Sequence, residues 1–232
     1  VNDLHYLDDD CGKWLEGVVH QMKTTAAEFC LIVGDLADDG KHEHFAAVRD
    51  IFGGLGIPFY TVIGNHDYLT QTDCSAYTDI FPKRINFHFE HRGWQFVGLD
   101  SSEGQHAQNT SVSSVTLKWL DNNLWRLSKK KPTVMFTHFP MGPEVRYRPI
   151  NADAALERFR DYNLQAVYNG HFHGFTEHKL GNTVLTTDKC CALKRNNHDG
   201  TPEKGYFICL VKDGAIHREF VEYKMPEMPK ST

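Results

Sequence analysis

LQAVYNGHFHG, residues 164–174, is an apolar run that ends in a glycine turn carrying two histidines. The run reads as a buried strand, being short, aliphatic and aromatic, and closed by glycine. Histidine is a poor choice for a tight turn, yet His171 and His173 stand two positions apart in this one. A single such turn reads as a surface loop or as a pair of metal ligands. Other strand ends decide between the two.

Four more strand-like segments end in the same kind of turn. The chain opens on NDLH, with Asp3 and His5, as if most of a strand before it were missing. FCLIV (29–33) leads into GDLADDG, with Asp35 and Asp38. PFYTVI (58–63) leads into GNHD, with Asn65, His66 and Asp67, and TVMFT (133–137) leads into His138. Between these strands lie residues at helical spacing: Trp14, Leu15, Val18, Val19 and Met22; Glu43 to about Phe52; Val115, Trp119, Leu120, Leu124 and Leu127; and Ala152–Tyr162. Strands alternating with helices predict parallel pairing, and parallel strands gather their carboxyl ends on one edge, where α/β proteins bind ligands. INFHFEH and WQFVGLD (85–91 and 94–100) read as neighbouring strands around Arg92–Gly93. The last third reads as hairpins turning at Gly181–Asn182 and Asp213–Gly214. The stretch after GNHD reads as polar and irregular.

Five segments therefore bring Asp, His and Asn to one place. Without cysteine among them, such a cluster suits divalent transition metals. Calcium and magnesium favour oxygen shells and would not recruit four histidines. One ion does not need so many ligands, so two ions sharing a carboxylate fit better. Alone, His5 or His138 would read as a structural or surface histidine; within the five-segment set each reads as a ligand.

The ordered motifs Asp3-x-His5, Gly34-Asp35-x-x-Asp38, Gly64-Asn65-His66-Asp67, His138 and Gly170-His171-x-His173 resemble those of the calcineurin-like metallophosphoesterases. The resemblance extends from Asp3 to about Glu222 and implies an α/β fold, a four-layer α/β/β/α sandwich with a dinuclear metal site at the strand carboxyl ends. It implies that Asp3, His5, Asp35 and His173 hold one ion, that Asp35, Asn65, His138 and His171 hold the other, and that Asp35 bridges them. It implies two divalent transition ions, Mn, Fe or Zn, with a hydroxide between them as the nucleophile. His66 is then a catalytic group facing substrate and Asp67 the residue that orients it, while Asp38 supports the ligands. Two aspartates and a hydroxide against two divalent ions leave a site charge of about +1, so an acidic protein can still attract a phosphate ester.

Departures from particular branches narrow the substrate. Protein phosphatases of this superfamily carry an arginine in the second motif and NHE in the third; here Asp38-Asp39-Gly40 and NHD stand there. Purple acid phosphatases place a tyrosine ligand where this chain has Asp38. The chain is most similar to the compact branch that includes bacterial cyclic-nucleotide phosphodiesterases. The expectation is a phosphodiesterase for a small or nucleotide-like ester. The alternatives are a phosphomonoesterase, a binding scaffold on the same fold, and a metal-storage or sensor protein. The complete metal set, with His66 present, speaks against a scaffold, and a storage or sensor role leaves the His66–Asp67 pair without a purpose.

The 232 residues suffice for one domain, with an ordered core over about 1–223 and a loose tail over 224–232. The formal net charge of −5 disfavours nucleic acid as a partner, which needs a basic face. No apolar run approaches the ~20 residues that span a bilayer. The start at VNDLH, without methionine, suggests a processed or truncated chain. A removed secretory leader would mean a periplasmic or secreted protein; otherwise the compartment is cytoplasmic. The resemblance leaves a homodimer open. The six cysteines form no CxxC pair; Cys30 and Cys209 read as core thiols, and Cys190 and Cys191 as opposite faces of a strand. The loop 140–151 is placed to overhang the metal edge, which makes Arg146 and Arg148 candidate substrate-binding residues. His42, His44, His88, His91, His106, His178, His198, His217 and His20 match no motif and read as surface or edge residues.

Overall fold

The computed structural model describes residues 1–226. Residues 227–232, most of the tail expected to be loose, lie outside the described residues. The elements in order are α1 (Asp9–Met22), β1 (Cys30–Val33), α2 (His42–Gly53), β2 (Phe59–Val62), α3 (Ser75–Ile80), β3 (Phe87–His91), β4 (Trp94–Leu99), α4 (Ser114–Asn123), β5 (Thr133–Thr137), α5 (Ala152–Glu157), β6 (Leu164–Asn169), β7 (Thr176–Leu180), β8 (Thr183–Thr187), β9 (Gly205–Lys212) and β10 (Ala215–Glu222).

Successive side chains of a strand point to opposite faces, and here that alternation feeds three separate apolar cores. On one side of the parallel pair β1–β2, Ile32 and Ile63 pack with Leu15 and Val18 of α1, Phe45, Val48 and Phe52 of α2, and Tyr77 of α3. On its other side, Val33 and Val62 share a core with Phe96, Val134, Phe136 and Ala166. These belong to a six-stranded sheet ordered β3-β4-β5-β6-β8-β7. The far face of that sheet presents Val97, Met135, Val167 and Leu185 to Leu120, Leu124, Ala155 and Phe159 around α4 and α5. Three cores separate four layers, helix–sheet–sheet–helix, as the resemblance implied. Stacked rings, with Tyr60 on Phe89 at 3.7 Å and Phe89 on Phe96 at 4.9 Å, fill the space between the sheets.

Capping follows local chemistry. Asp8 accepts from the Cys11 amide at the start of α1, and Ser113 from the Thr116 amide at the start of α4. Arg92 and Gly93 adopt positive φ and turn β3 into antiparallel β4. The turns expected at Gly181–Asn182 and Asp213–Gly214 join β7 to β8 and β9 to β10.

Several expectations need correction. The stretch read as irregular contains α3. The helix expected over Ala152–Tyr162 ends at Glu157, because Phe159, Arg160 and Tyr162 bond three residues back and tighten into turns. Cys190 and Cys191 are buried in a loop and belong to no strand. Cys209 is exposed on the β9–β10 hairpin and Cys30 is half-buried, so neither is a fully enclosed core thiol. The metal-edge segments also come from two sheets: residues 1–6 run beside β1 through Val33–Val1, Asp3–Gly34 and Tyr6–Leu36 amide–carbonyl bonds, whereas β5 and β6 lie in the larger sheet.

Phe136 is wholly buried between the sheets, while Trp125 is 71% exposed. Phe136→Ala should therefore cost about 3–5 kcal/mol in urea or thermal unfolding, and Trp125→Ala should stay within about 0.5 kcal/mol.

Candidate metal centre

The first sheet packs face to face on the larger one, and glycine lets their strand ends meet closely at one edge of the sandwich. A Cβ on Gly34 would lie 2.4 Å from the His138 ring, and one on Gly170 would lie 2.6 Å from the Asp3 carboxylate. Without side chains there, the ends of β1 and β5 and the turn after β6 draw together around Asp3 and Asp35. Asp3, His5, Asp35, Asn65, His138, His171 and His173 are all buried.

Asp3, His5, Asp35 and His173 form one group whose ligand atoms lie within 4.8 Å of one another, and Asp35, His138 and His171 form a second. Asp35 is common to both. Its Oδ2 lies 3.2 Å from His138 Nε2 and 3.5 Å from His5 Nε2. Asp3 Oδ1 lies 3.1 Å from His173 Nε2, and Asn65 Oδ1 lies 3.3 Å from His138 Nε2.

Each imidazole is held from outside the cluster. Carbonyl and carboxylate oxygens only accept, so the ring nitrogen they contact must donate. His138 Nδ1 donates to the Val33 carbonyl at 3.1 Å and His173 Nδ1 to the Asn196 carbonyl at 3.2 Å. His5 Nδ1 donates to Asp38 Oδ1 at 3.0 Å, and His171, turned the other way, donates through Nε2 to the Ala107 carbonyl at 2.8 Å. The inner nitrogens are left to one another: His5 Nε2 to His173 Nε2 at 3.2 Å, and His171 Nδ1 to His138 Nε2 at 3.2 Å. Outer acceptors that fix the tautomer and aim the free lone pair are the support a metal-binding histidine needs. Four imidazole nitrogens, two buried carboxylates and an amide oxygen fit two divalent ions.

The backbone is strained at the same places. Asp3, His5, Asp35, His171 and His173 all have φ between 46° and 62°. Asp and His tolerate this left-handed region better than most residues, but it still costs energy and persists only where surrounding structure imposes it.

The charges are interdependent. Burial works against ionised Asp35, but His138, through charge and hydrogen bond, holds its carboxyl well below the usual range. Burial pushes the His138 imidazolium down, yet Asp35 pushes it further up, to about 9. At His173 burial is again opposed by Asp3, which raises it to about 11. Burial and the charge of His138 push His171 down to about 3.

The remaining expected site residues divide. His66 is half-buried; its Nδ1 donates to the Asp38 carbonyl at 2.9 Å, and its amide donates to Asp35 Oδ1 at 2.9 Å. Asp67 makes different contacts from those expected. Its carboxylate accepts from the amides of Leu36, Ala37 and Gly64 at 2.8–2.9 Å, which staples two metal-edge loops together, while the Asp38 carbonyl orients His66. Arg148 bonds the Met141 carbonyl at 3.0 Å and pairs with Asp153, so it braces its own loop. Arg146 is exposed, with its guanidinium 4.5 Å from the Tyr147 ring.

Sequence reasoning missed the loop 188–204. Its Asn196 carbonyl holds His173, its Arg195 pairs with Asp38, and its His198 stacks on His173 at 5.0 Å. The polar run gives no periodic or motif signal, so only its packing reveals it.

A calcineurin-like phosphoesterase family model matches residues 1–175. The chain belongs to that family. It is 30% identical to a 3′,5′-cyclic-nucleotide phosphodiesterase of Nostoc sp. over 49% of this chain and 41% of that protein. It is 26% identical to a glycerophosphodiester phosphodiesterase of Enterobacter lignolyticus over 68% of this chain and 60% of that one. The chain thus spans roughly half the length of these two relatives. In fold it is similar to a dimetal phosphatase from Danio rerio, with a TM-score of 0.72, 14% identity, and coverage of 95% of this chain and 94% of that one. The family and the ligand groups point to two divalent metal ions. Among the described residues, no helix is long and apolar enough to cross a membrane.

Because metal ligands must give up their protons, ion uptake by chelator-stripped protein has a definite sign. Near pH 7.5, below the raised values of His138 and His173, loading should release protons, and the release should shrink as pH rises through those values. Calorimetry in buffers of different ionisation enthalpy reads this directly; no release would mean that both histidines are already neutral.

Proposed function

We propose that the protein is a metal-dependent phosphodiesterase acting on a small or nucleotide-like phosphodiester. The observation that carries this reading is the set of four imidazoles, each tied from outside and turned inward onto two buried carboxylates, of which Asp35 is common to both groups. A metal-storage role would not require His66 beside them, held through Nδ1 and, among the described residues, with no side-chain partner on Nε2. The two curated relatives, both phosphodiesterases by name, support the diester preference.

Asp3, His5, Asp35 and His173 would hold one ion and Asp35, Asn65, His138 and His171 the other. The mixed nitrogen and oxygen donors, without thiolate, suit Mn, Fe or Zn. Bound there, two divalent ions supply Lewis-acid charge for the phosphoryl oxygens and a nucleophile at neutral pH. The chain's own residues do the rest. Asp35 draws the two ligand groups together, and Asp38 fixes His5 through its carboxylate and His66 through its carbonyl. Asp67 fixes the loops that present Asp35 and Asn65. With Nδ1 committed to the Asp38 carbonyl, His66 acts as the doubly protonated imidazolium, whose Nε2–H hydrogen-bonds or protonates the departing ester oxygen and leaves neutral imidazole behind.

Arg195 keeps a phosphomonoesterase in view, since a guanidinium beside the site can grip a dianion. Its Nε already lies 3.0 Å from Asp38 Oδ1, however, and that carboxylate takes up its charge.

Manganese-loaded protein should hydrolyse bis(p-nitrophenyl) phosphate faster than p-nitrophenyl phosphate, and EDTA should abolish both rates. Turnover of the monoester alone would overturn the diester reading. Asp35→Asn should lower occupancy of both ions by metal analysis, because one carboxylate serves both groups; retention of two ions per chain would remove it as the bridge. His66→Ala should keep both ions yet lose roughly 10²–10⁴-fold in kcat, and normal turnover would exclude it from the reaction.

A further inference from the structure

The metal edge carries an aromatic rim that the phosphoryl chemistry does not use. His198 lies nearly parallel to the candidate ligand His173, with ring centroids 5.0 Å apart and planes 16° apart, and it is exposed. Tyr147, half-buried on the loop after β5, sets its ring at 79° to His171 at 5.1 Å and lies 5.9 Å from His198. Tyr147 holds a φ of 71°, a conformation rare for a bulky residue. Phe172, between the two ligand histidines, stands 6.3 Å from the same His198 ring. The Arg146 guanidinium, itself a planar cation, lies over Tyr147.

Three rings from three separate turns thus converge beside the two metal groups, and His198 extends a stack that starts on a ligand. The exposed face of His198, flanked by the half-buried Tyr147 and Phe172 rings inclined to it at 59° and 75°, is suited to a planar group, since every nucleobase offers a π-face and stacking accepts any of them. A cationic plane at the rim adds attraction to such a ring. Two aliphatic arms on the phosphodiester would leave these faces without a partner.

We infer that His198 and Tyr147, with Phe172 and Arg146, form a stacking subsite that selects phosphodiesters with a planar aromatic group, a nucleotide being the natural example. The inference rests on the phosphodiesterase reading. His198 acts here by its ring face, as a specificity residue, while His66 remains the proton-bearing group.

The test compares 3′,5′-cyclic AMP with glycerophosphoethanolamine, an aliphatic diester, on manganese-loaded wild type, His198→Ala, His198→Phe and Tyr147→Ala. The ratio of kcat/KM for the two substrates should fall about tenfold in each alanine variant, the size of a lost base stack. The change should sit mainly in KM, and His198→Phe should restore it. An equal loss on both substrates, or no loss on cyclic AMP, would overturn the subsite. Calorimetric binding of adenosine 5′-monophosphate against glycerol phosphate provides a readout without turnover. If wild type hydrolyses neither diester, the phosphodiesterase reading fails. The subsite then stands or falls on whether His198→Ala weakens the nucleotide about tenfold and spares glycerol phosphate.

Discussion

Two carboxylates buried side by side are the constraint on which this structure depends. Asp3 and Asp35 lie out of water at the junction of two sheets, where an unpaired negative charge would be very costly. Four imidazoles surround them, and each is oriented by an acceptor on its far side. This arrangement can stay ionised inside the protein because it is built for positive charge at its centre. The outer acceptors come from β1, the loop after it, and the loops around residues 107 and 196, so orientation of the four imidazoles is distributed over most of the fold.

The backbone bears the cost of that convergence. Left-handed residues at five of the candidate ligand positions, and glycines where any Cβ would collide, allow strand ends from separate sheets to approach within hydrogen-bonding distance. The three apolar cores hold the strands in place while the turns remain strained. Asp67 contributes at the boundary between these parts. By accepting three backbone amides it locks the Asp35 turn to the Asn65 turn, a structural duty that a short sequence motif conceals.

Much of the architecture was legible because hydrophobic period and turn chemistry are local. The strand runs, α1, α2 and both C-terminal hairpins are readable from spacing alone, and the family is readable from five motifs in order. The shortened α5 and the added α3 were not, since their ends depend on tertiary packing and on turn bonds that period does not encode. Arg148 shows a similar limit. Its place in a loop beside the site suggested substrate, yet Asp153 lies five residues on and captures it.

Which donors the protein can offer, and in what order, is written in the chain, because residue type sets ligand chemistry and each donor sits directly after its strand. Long-range packing alone fixes which nitrogen of each histidine faces the cluster, brings the candidate ligands together from the strand ends of two sheets, and sets His198 and Arg195 at the site. Those facts follow from hydrogen bonds and stacking between residues as far as 168 positions apart, such as His5 and His173, and no local pattern along the chain can specify such contacts.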